Sequence, residues 1–253
     1  MAGTGDLVEL FGCIATEDPD RVFLQESKTS TLSYGYSYRL VTTLLASQLC
    51  TACPRLSAPA QPEHRVVLIS HNSSLFPLVL WSCWHLSAEV VLLSVNMDQS
   101  LWKAALDLLK PCLIIASHNT YHTLYKQLDK DTTYQIIVID DLIPISYRAE
   151  SILSRKSDYV PSLRRWIESE STIPVKEVVT SSRSSERPAV TLFTSSAVDE
   201  QSLKCVTYTH SMLVRSGERT IKMMGEQAYQ KYPIRHLGCL PLSHCFEFCI
   251  SLM

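Results

Sequence analysis

The chain has 253 residues, of which 46% are apolar and 19% are charged, and its net charge is −2. This length and apolar content are sufficient for a sizeable core. So small a net charge excludes the strong electrostatic field with which proteins recruit nucleic acid or anionic membranes. The longest apolar run, Leu75 to Leu86, has about half the length of a membrane-spanning helix, so we predict no transmembrane segment.

The nine cysteines are an odd number and cannot all pair. Cys50 and Cys53 have the CxxC spacing of redox and zinc sites, but they follow a helical pattern and precede Pro54, whereas a redox pair follows a strand. A second ligand pair with metal spacing is not evident. Because the first residues also lack the pattern of a signal peptide, we predict free thiols, no metal site and a reducing cytoplasmic location.

The N-terminal part begins with a predicted amphipathic helix, since apolar residues recur at helical spacing across residues 5–17. Two short strands, Val22–Leu24 and Leu32–Tyr34, follow and are joined by a polar turn. A second helix is predicted to begin at Ser37. Residues 53–63 contain three prolines and are predicted to form a loop.

An alternation of short apolar strands and helices follows this loop. The predicted strands are Val66–Ile69, Val90–Leu93, Leu113–Ala116 and Ile136–Ile139, and the predicted helices are Leu75–Leu86, Leu101–Leu109 and Tyr121–Leu128. Such an alternation predicts an α/β fold in which a mostly parallel sheet is flanked by helices on both faces. Ligands of these sheets bind at the carboxyl ends of the strands.

The alternation divides the chain into three predicted parts. Residues 1–141 form a first α/β subdomain, and residues 142–188 are an irregular connection that ends in a polar linker. Residues 189–253 start a second α/β subdomain with a buried strand, Ala189–Phe193, a hydroxyl-rich loop and a helix that begins near His210.

The hydroxyl-rich loop is the segment best suited to chemistry. Its candidate ligands are Thr194, Ser195, Ser196 and Lys204. Hydroxyls and backbone N–H groups after a strand can surround phosphates, and a lysine supplies positive charge. The same hydroxyls can also be turn residues that hydrogen-bond their own backbone, and Lys204 can be a solvated residue at the end of a loop.

Thr194-Ser195, Lys204, Val206 and Thr209-His210 match the motif TSGTTGxPKGVxxTH, with two additional residues in the loop. The segment 240–247, LPLSHCFE, resembles a PLAHxFE motif about 30 residues further on. Weaker matches occur in the same order at 32–34, 66–73 and 89–96. On these residues the chain resembles the adenylate-forming superfamily, which includes acyl-CoA synthetases, luciferases and peptide-synthetase adenylation domains.

The resemblance implies the N-terminal part of the large domain of an AMP-forming acyl-activating enzyme. Such an enzyme uses ATP and magnesium to join a carboxylate to AMP and then transfers the acyl group to a thiol. The substrate implied is a small carboxylic or fatty acid, and the 241–247 match favours a fatty acid. The implied nucleotide-site residues are Thr194, Ser195, Ser196 and Lys204, and His244 matches the histidine near the acyl pocket, although a lone histidine in an apolar stretch is more often a hydrogen-bonded core residue.

The loop also departs from the family motif. Ser196 and Asp199 replace its two glycines, Leu203 replaces its proline, and Cys205 replaces the glycine after the lysine. Asp199 and Glu200 place negative charge where phosphates are expected. The chain also has about half the family's length, so we expect the C-terminal lid domain to be missing from it. We therefore expect this chain alone to be inactive, and the alternative function is a pseudoenzyme that acts as a binding or scaffold module.

Overall fold

A computed structural model describes residues 5–25, 31–58, 64–127, 134–142, 184–193, 203–224 and 240–244. The first element is helix α1, Leu7–Glu17, as predicted. It begins where it does because the Asp6 side chain accepts hydrogen bonds from the backbone N–H groups of Val8 and Glu9. Asp6 is itself buried, which gives it a second role described below.

Strands β1 (Val22–Gln25) and β2 (Thr31–Ser33) form a separate antiparallel pair. Helix α2 (Tyr34–Arg39) continues through a π-helical stretch, Leu40–Leu45, into α3 (Ala46–Ala52). The predicted helix start at Ser37 was therefore three residues late. The reason is that Ser33 caps α2 by accepting a hydrogen bond from the backbone N–H of Tyr36.

The centre of the fold is a six-stranded sheet with the order β6-β5-β3-β4-β7-β8. Its strands are β3 (Arg65–Ile69), β4 (Glu89–Leu92), β5 (Leu113–Ala116), β6 (Ile136–Val138), β7 (Pro188–Phe193) and β8 (Cys205–Thr209). All neighbours pair in parallel except β7 and β8, which are antiparallel. The mostly parallel sheet predicted from the sequence is confirmed.

Helices cover both faces of this sheet. The connecting helices are α4 (Leu75–His85), α5 (Gln99–Leu109) and α6 (His118–Gln127), and α7 (His210–Met224) follows β8. Helix α4 is buried from Phe76 to Trp84 because it lies between the sheet and the α1–α3 layer. Phe11 of α1 stacks on Trp81 of α4 with ring centroids 4.5 Å apart. Helix α5 and Leu124 of α6 pack on the opposite face.

Two features of the C-terminal part differ from the prediction. Strand β8 was expected to be part of the loop before the helix at His210, although its alternating β-branched and aromatic residues are typical of a strand. Strand β7, the first strand of the predicted second subdomain, pairs with β4. The described strands before and after residues 143–183 therefore belong to one sheet.

Candidate functional site

The carboxyl edge of the sheet is formed by the ends of the parallel strands β3, β4, β5 and β7. At this edge the last residue of β7, Phe193, pairs with the first residue of β8, Cys205. The two residues that flank the segment 194–204 therefore lie at neighbouring positions of this edge. A hydroxyl-bearing connection at this edge has the location in which α/β sheets bind their ligands.

Lys204 is exposed and lies immediately before β8. Because β8 runs antiparallel to β7, the first residue of β8 is at the carboxyl edge of β7. Lys204, the last residue before β8, therefore lies at this edge as well. The other predicted ligands of this loop, Thr194, Ser195 and Ser196, lie outside the described residues. Their role as phosphate ligands therefore stays a prediction.

Strand β8 separates the two ends of the sequence motif. Its five residues, Cys205–Thr209, span about 17 Å at the usual rise of a strand. Lys204 is thus at the carboxyl edge of β7, whereas Thr209 and His210 are at the opposite edge. The motif's lysine and its Thr-His pair cannot act on the same phosphate group.

His210 is the first residue of α7, as predicted, and its side chain is fully buried. Thr209 caps this helix, since its hydroxyl accepts a hydrogen bond from the backbone N–H of Met212. The His210 ring packs edge to face on Trp84, with centroids 5.7 Å apart. Its Nδ1 lies 3.9 Å from Oδ2 of Asp6. These contacts give the Thr-His end of the motif a structural role in joining α7 to α1 and α4.

Arg187 completes this buried polar cluster. Its Nη2 donates to Oδ2 of Asp6 at 2.9 Å and to the main-chain oxygen of Trp84 at 3.3 Å. Burial disfavours the charge of Asp6, but the charges of His210 and Arg187, together with hydrogen bonds, outweigh it and hold the pKa of Asp6 below its usual value. The cluster therefore connects α1 to the amino end of β7.

The second sequence motif also has a defined position. Leu242 is buried in the main core, and the turn after it is closed by a hydrogen bond from the His244 N–H to the Pro241 oxygen. Asn72 holds this segment from the turn after β3: its Nδ2 donates to the Leu240 oxygen, and its Oδ1 accepts from the Leu242 N–H. His244 itself is exposed, so the interpretation favoured from the sequence, a histidine buried in the core, is wrong.

The lysine of the first motif and the described part of the second motif, residues 240–244, lie along the same edge of the sheet. Asn72 follows β3, and Lys204 precedes β8, which is three strand spacings away, or about 14 Å. Asn72 was not predicted as a site residue. Its position after a buried strand and its match to the family's strand-and-turn motif were the available signals, but neither indicates its partner 170 positions later.

Among the described residues of this loop, Lys204 is suited to bind a nucleotide phosphate, because its positive charge is exposed at the carboxyl edge. The described residues provide no group of three His, Cys, Asp or Glu side chains that could hold a metal ion, so none of them is assigned to magnesium. None of the helices in the described part of the chain is long and apolar enough to cross a bilayer.

Comparison of the sequence and the fold with known proteins identifies the family to which the chain is similar. The family model described as AMP-binding enzyme matches residues 14–253. No curated protein sequence matches the chain.

Solved structures share the fold at low sequence identity. The crystal structure of VinN superposes with a TM-score of 0.68 at 17% identity, covering 97% of this chain and 53% of VinN. O-succinylbenzoate Coenzyme A synthetase (MenE) from Bacillus subtilis, in complex with AMP, has a TM-score of 0.66 at 14% identity and coverages of 95% and 51%. The Mycobacterium tuberculosis fatty acyl CoA synthetase has a TM-score of 0.65 at 15% identity and coverages of 98% and 42%. The chain thus spans about half the length of these structures or less.

Proposed function

The chain belongs to the AMP-binding enzyme family, and on that premise we propose that it is part of an enzyme that joins a carboxylate to AMP and transfers the acyl group to a thiol. The proposed nucleotide site is the connection between Phe193 and Cys205. The observation that carries the proposal is the exposure of Lys204 at the carboxyl edge, where the paired ends of this connection meet.

This arrangement suits phosphate for electrostatic reasons. Phosphoryl chemistry depends mainly on positioning and on stabilising the negative charge of the phosphate oxygens. Lys204 supplies a positive charge, and the hydroxyls of Thr194, Ser195 and Ser196 supply hydrogen-bond donors from the other end of the connection. We assign binding of the ATP phosphates to these four residues and no proton transfer to any of them.

The carboxylate substrate is proposed to bind near the segment 240–244. This segment lies along the same edge as Lys204 and is held there by Asn72. His244 is exposed at its end and is the residue we assign to the entrance of the acyl site. A fatty acid is the proposed substrate class, because residues 241–247 resemble the motif of long-chain acyl-CoA synthetases.

A reducing compartment such as the cytoplasm is proposed for the protein. Six cysteines in the described residues are free thiols: Cys13, Cys50, Cys53, Cys83, Cys112 and Cys205. Free thiols persist where glutathione and thioredoxin keep them reduced.

A second candidate function is supported by the loop sequence. Asp199 and Glu200 carry negative charge in the connection proposed to bind phosphate, and Ser196 replaces a glycine of the family motif. Like charges disfavour phosphate, and side chains in place of glycine restrict close approach of the backbone. A pseudoenzyme that keeps the fold as a binding or scaffold module accounts for these replacements.

Calorimetric titration of ATP with magnesium distinguishes the two functions. If the nucleotide site works, the unmodified chain binds ATP, Lys204→Ala abolishes the heat of binding, and Lys222→Ala, a matched change of an exposed lysine on α7, leaves it unchanged. Absence of ATP binding by the unmodified chain supports the pseudoenzyme. Equal binding by the unmodified chain and Lys204→Ala contradicts the assigned site.

A further inference from the structure

Two histidines on α6 face each other at the surface. His118 and His122 are four residues apart on the helix, and both side chains are exposed. Their Nε2 atoms are 3.3 Å apart, and their ring centroids are 4.8 Å apart with the ring planes nearly perpendicular. Residues at this spacing lie on one face of a helix, so the two ring nitrogens lie close together on that face.

The separation of the two nitrogens fits a tetrahedral metal ion. Zinc–imidazole bonds are about 2.0–2.1 Å long, so two nitrogens in tetrahedral positions are about 3.3–3.4 Å apart. The same bonds at a right angle place the nitrogens only about 2.9 Å apart. The observed 3.3 Å matches the tetrahedral arrangement.

The surrounding contacts position the first turn of α6 and one of the two rings. Oδ2 of Asp140 accepts a hydrogen bond from the backbone N–H of His118 and so fixes the first turn of α6. The ring of Tyr121 contacts that of His122, with centroids 5.7 Å apart. On the inner side of the helix, Leu124 is buried in the core against the sheet. Because α6 is fixed on the sheet, binding an ion requires little rearrangement of the helix.

A hydrogen bond between the two rings is consistent with the same distance. One imidazole can donate its N–H to the bare nitrogen of the other, and which ring donates depends on the tautomer. This bond keeps the two nitrogens at the spacing that a metal ion needs. When an ion binds, the proton of the donating ring moves from Nε2 to Nδ1, and both rings turn so that their Nε2 lone pairs point at the ion.

We propose that His118 and His122 bind one divalent transition-metal ion, of which Zn²⁺ is the tetrahedral representative. Imidazole is a ligand of Zn²⁺, Cu²⁺ and Ni²⁺, whereas Mg²⁺ and Ca²⁺ require oxygen ligands. In the described residues no third His, Cys, Asp or Glu joins the pair in a metal-binding group. Water therefore completes the coordination, and the site exchanges its ion readily.

This site is separate from the proposed nucleotide site and does not depend on it. Helix α6 follows β5, which is three strand spacings, or about 14 Å, from β7 in the sheet. An ion bound by both histidines connects the first two turns of α6. We therefore expect it to stabilise this short polar helix against local unfolding, and the stabilisation increases with the occupancy of the site.

Titration of Zn²⁺ alone tests the proposal. Thiolates are ligands of Zn²⁺ and would compete with the pair, so every protein in the experiment carries Cys13→Ser and Cys205→Ser, which remove two exposed thiols. Calorimetry then compares this background with His118→Asn, His122→Asn, the double variant, and the control His71→Asn, which alters an exposed histidine outside the pair.

A shared site makes a specific prediction. Each single variant binds one equivalent of Zn²⁺ less than the background protein, and so does the double variant. The control His71→Asn binds as much Zn²⁺ as the background protein. Titration with Mg²⁺ produces no heat at this site. Hydrogen exchange of the α6 amides slows on addition of Zn²⁺ in the background protein and in the His71→Asn control, but in none of the three variants of the pair. The proposal is overturned if the background protein binds no Zn²⁺, or if either single variant binds as well as the background.

Discussion

Asn72 holds Leu242 in place, with its side-chain oxygen accepting the Leu242 N–H at 2.9 Å. The same side chain donates to the oxygen of Leu240 at 2.7 Å, so one amide holds both sides of a short segment. The two partners are 170 positions apart in the chain. This contact joins the turn after β3 to the second sequence motif and brings that motif to the carboxyl edge.

Replacing Asn72 with Ala should release the segment 240–244. Two hydrogen bonds are lost, each with a net contribution of about 1 kcal/mol. Because Asn72 is exposed and water can replace its bonds, we expect a loss in global stability of about 1 kcal/mol or less. The main effect is local and is measured as faster hydrogen exchange of the Leu242 amide. The control Asn96→Ala changes an exposed asparagine elsewhere, and equal exchange in both variants contradicts the assigned contact.

The buried cluster of Asp6, Arg187 and His210 should stabilise the fold. The substitution Asp6→Asn removes the negative charge that faces Arg187 at 2.9 Å and leaves this arginine partly buried without it. Breaking a buried ion pair in this way costs about 3 kcal/mol. Urea unfolding at neutral pH measures the loss. The exposed Asp18→Asn, at the end of α1, is the matched control and should cost much less.

The same cluster predicts a dependence of stability on pH. Because the pKa of Asp6 is held below its usual 3.8, folding favours the ionised carboxylate. The stabilisation is fully present above the usual value and is lost as the pH falls below it through the folded pKa. Urea unfolding between pH 6 and pH 3 should therefore give a higher free energy of unfolding for the unmodified chain than for Asp6→Asn. This difference in free energy should shrink only in the acid part of the range. A constant difference contradicts the assigned charge interaction.

Thr191 should be more important for stability than its partner Thr207. The Thr191 hydroxyl lies 2.6 Å from Oε1 of the buried Glu89 and 2.6 Å from the Thr207 hydroxyl. Substitution Thr191→Val keeps the shape but leaves a buried carboxylate oxygen without this donor, which costs about 1–3 kcal/mol. Thr207→Val changes an exposed side chain on β8 and should cost less than half as much. Thermal unfolding measures the loss of stability in each variant. Equal losses in the two variants would show that the contact of Thr191 with Glu89 does not stabilise the fold.

Neutralising the loop acids should strengthen nucleotide binding. A like charge about 4 Å from a phosphate costs about 1 kcal/mol in water, so Asp199→Asn together with Glu200→Gln should increase ATP affinity on the order of tenfold. Calorimetry measures the gain, which should fall as salt is added. The control pair Glu17→Gln and Asp20→Asn removes the same charge from the exposed surface near α1 and should leave ATP affinity unchanged.

Local patterns predicted most of the sheet and its helices. The apolar runs at Val66–Ile69 and Leu113–Ala116 are buried parallel strands because both of their faces are covered. Strand β8 was missed because it is an edge strand with exposed residues, so it lacks a continuous apolar run. Helix α2 began earlier than predicted because a serine cap, not hydrophobic periodicity, determines its start.

The site was predicted only in part, since its contacts join distant positions. The motif predicts Lys204 as a phosphate ligand, and this role stays a prediction. The separation of Lys204 from His210 depends on the pairing of β8 with β7, which a motif does not express. Asn72 is recognisable as a site residue only when its partner is known. The spacing of His118 and His122 is visible in the sequence, yet the 3.3 Å between their nitrogens depends on the conformations of both rings.

The most direct test of the proposed nucleotide site is affinity labelling of Lys204. An ATP derivative with an acyl group on its terminal phosphate transfers that group to a nearby lysine amine, forming an amide and releasing ATP. Peptide mapping by mass spectrometry should find the acyl group on Lys204, excess unlabelled ATP should suppress this labelling, and the exposed Lys222 should show only slow labelling that ATP does not affect. Labelling of Lys204 that ATP does not suppress, or ATP-sensitive labelling of another lysine instead, would contradict the assignment.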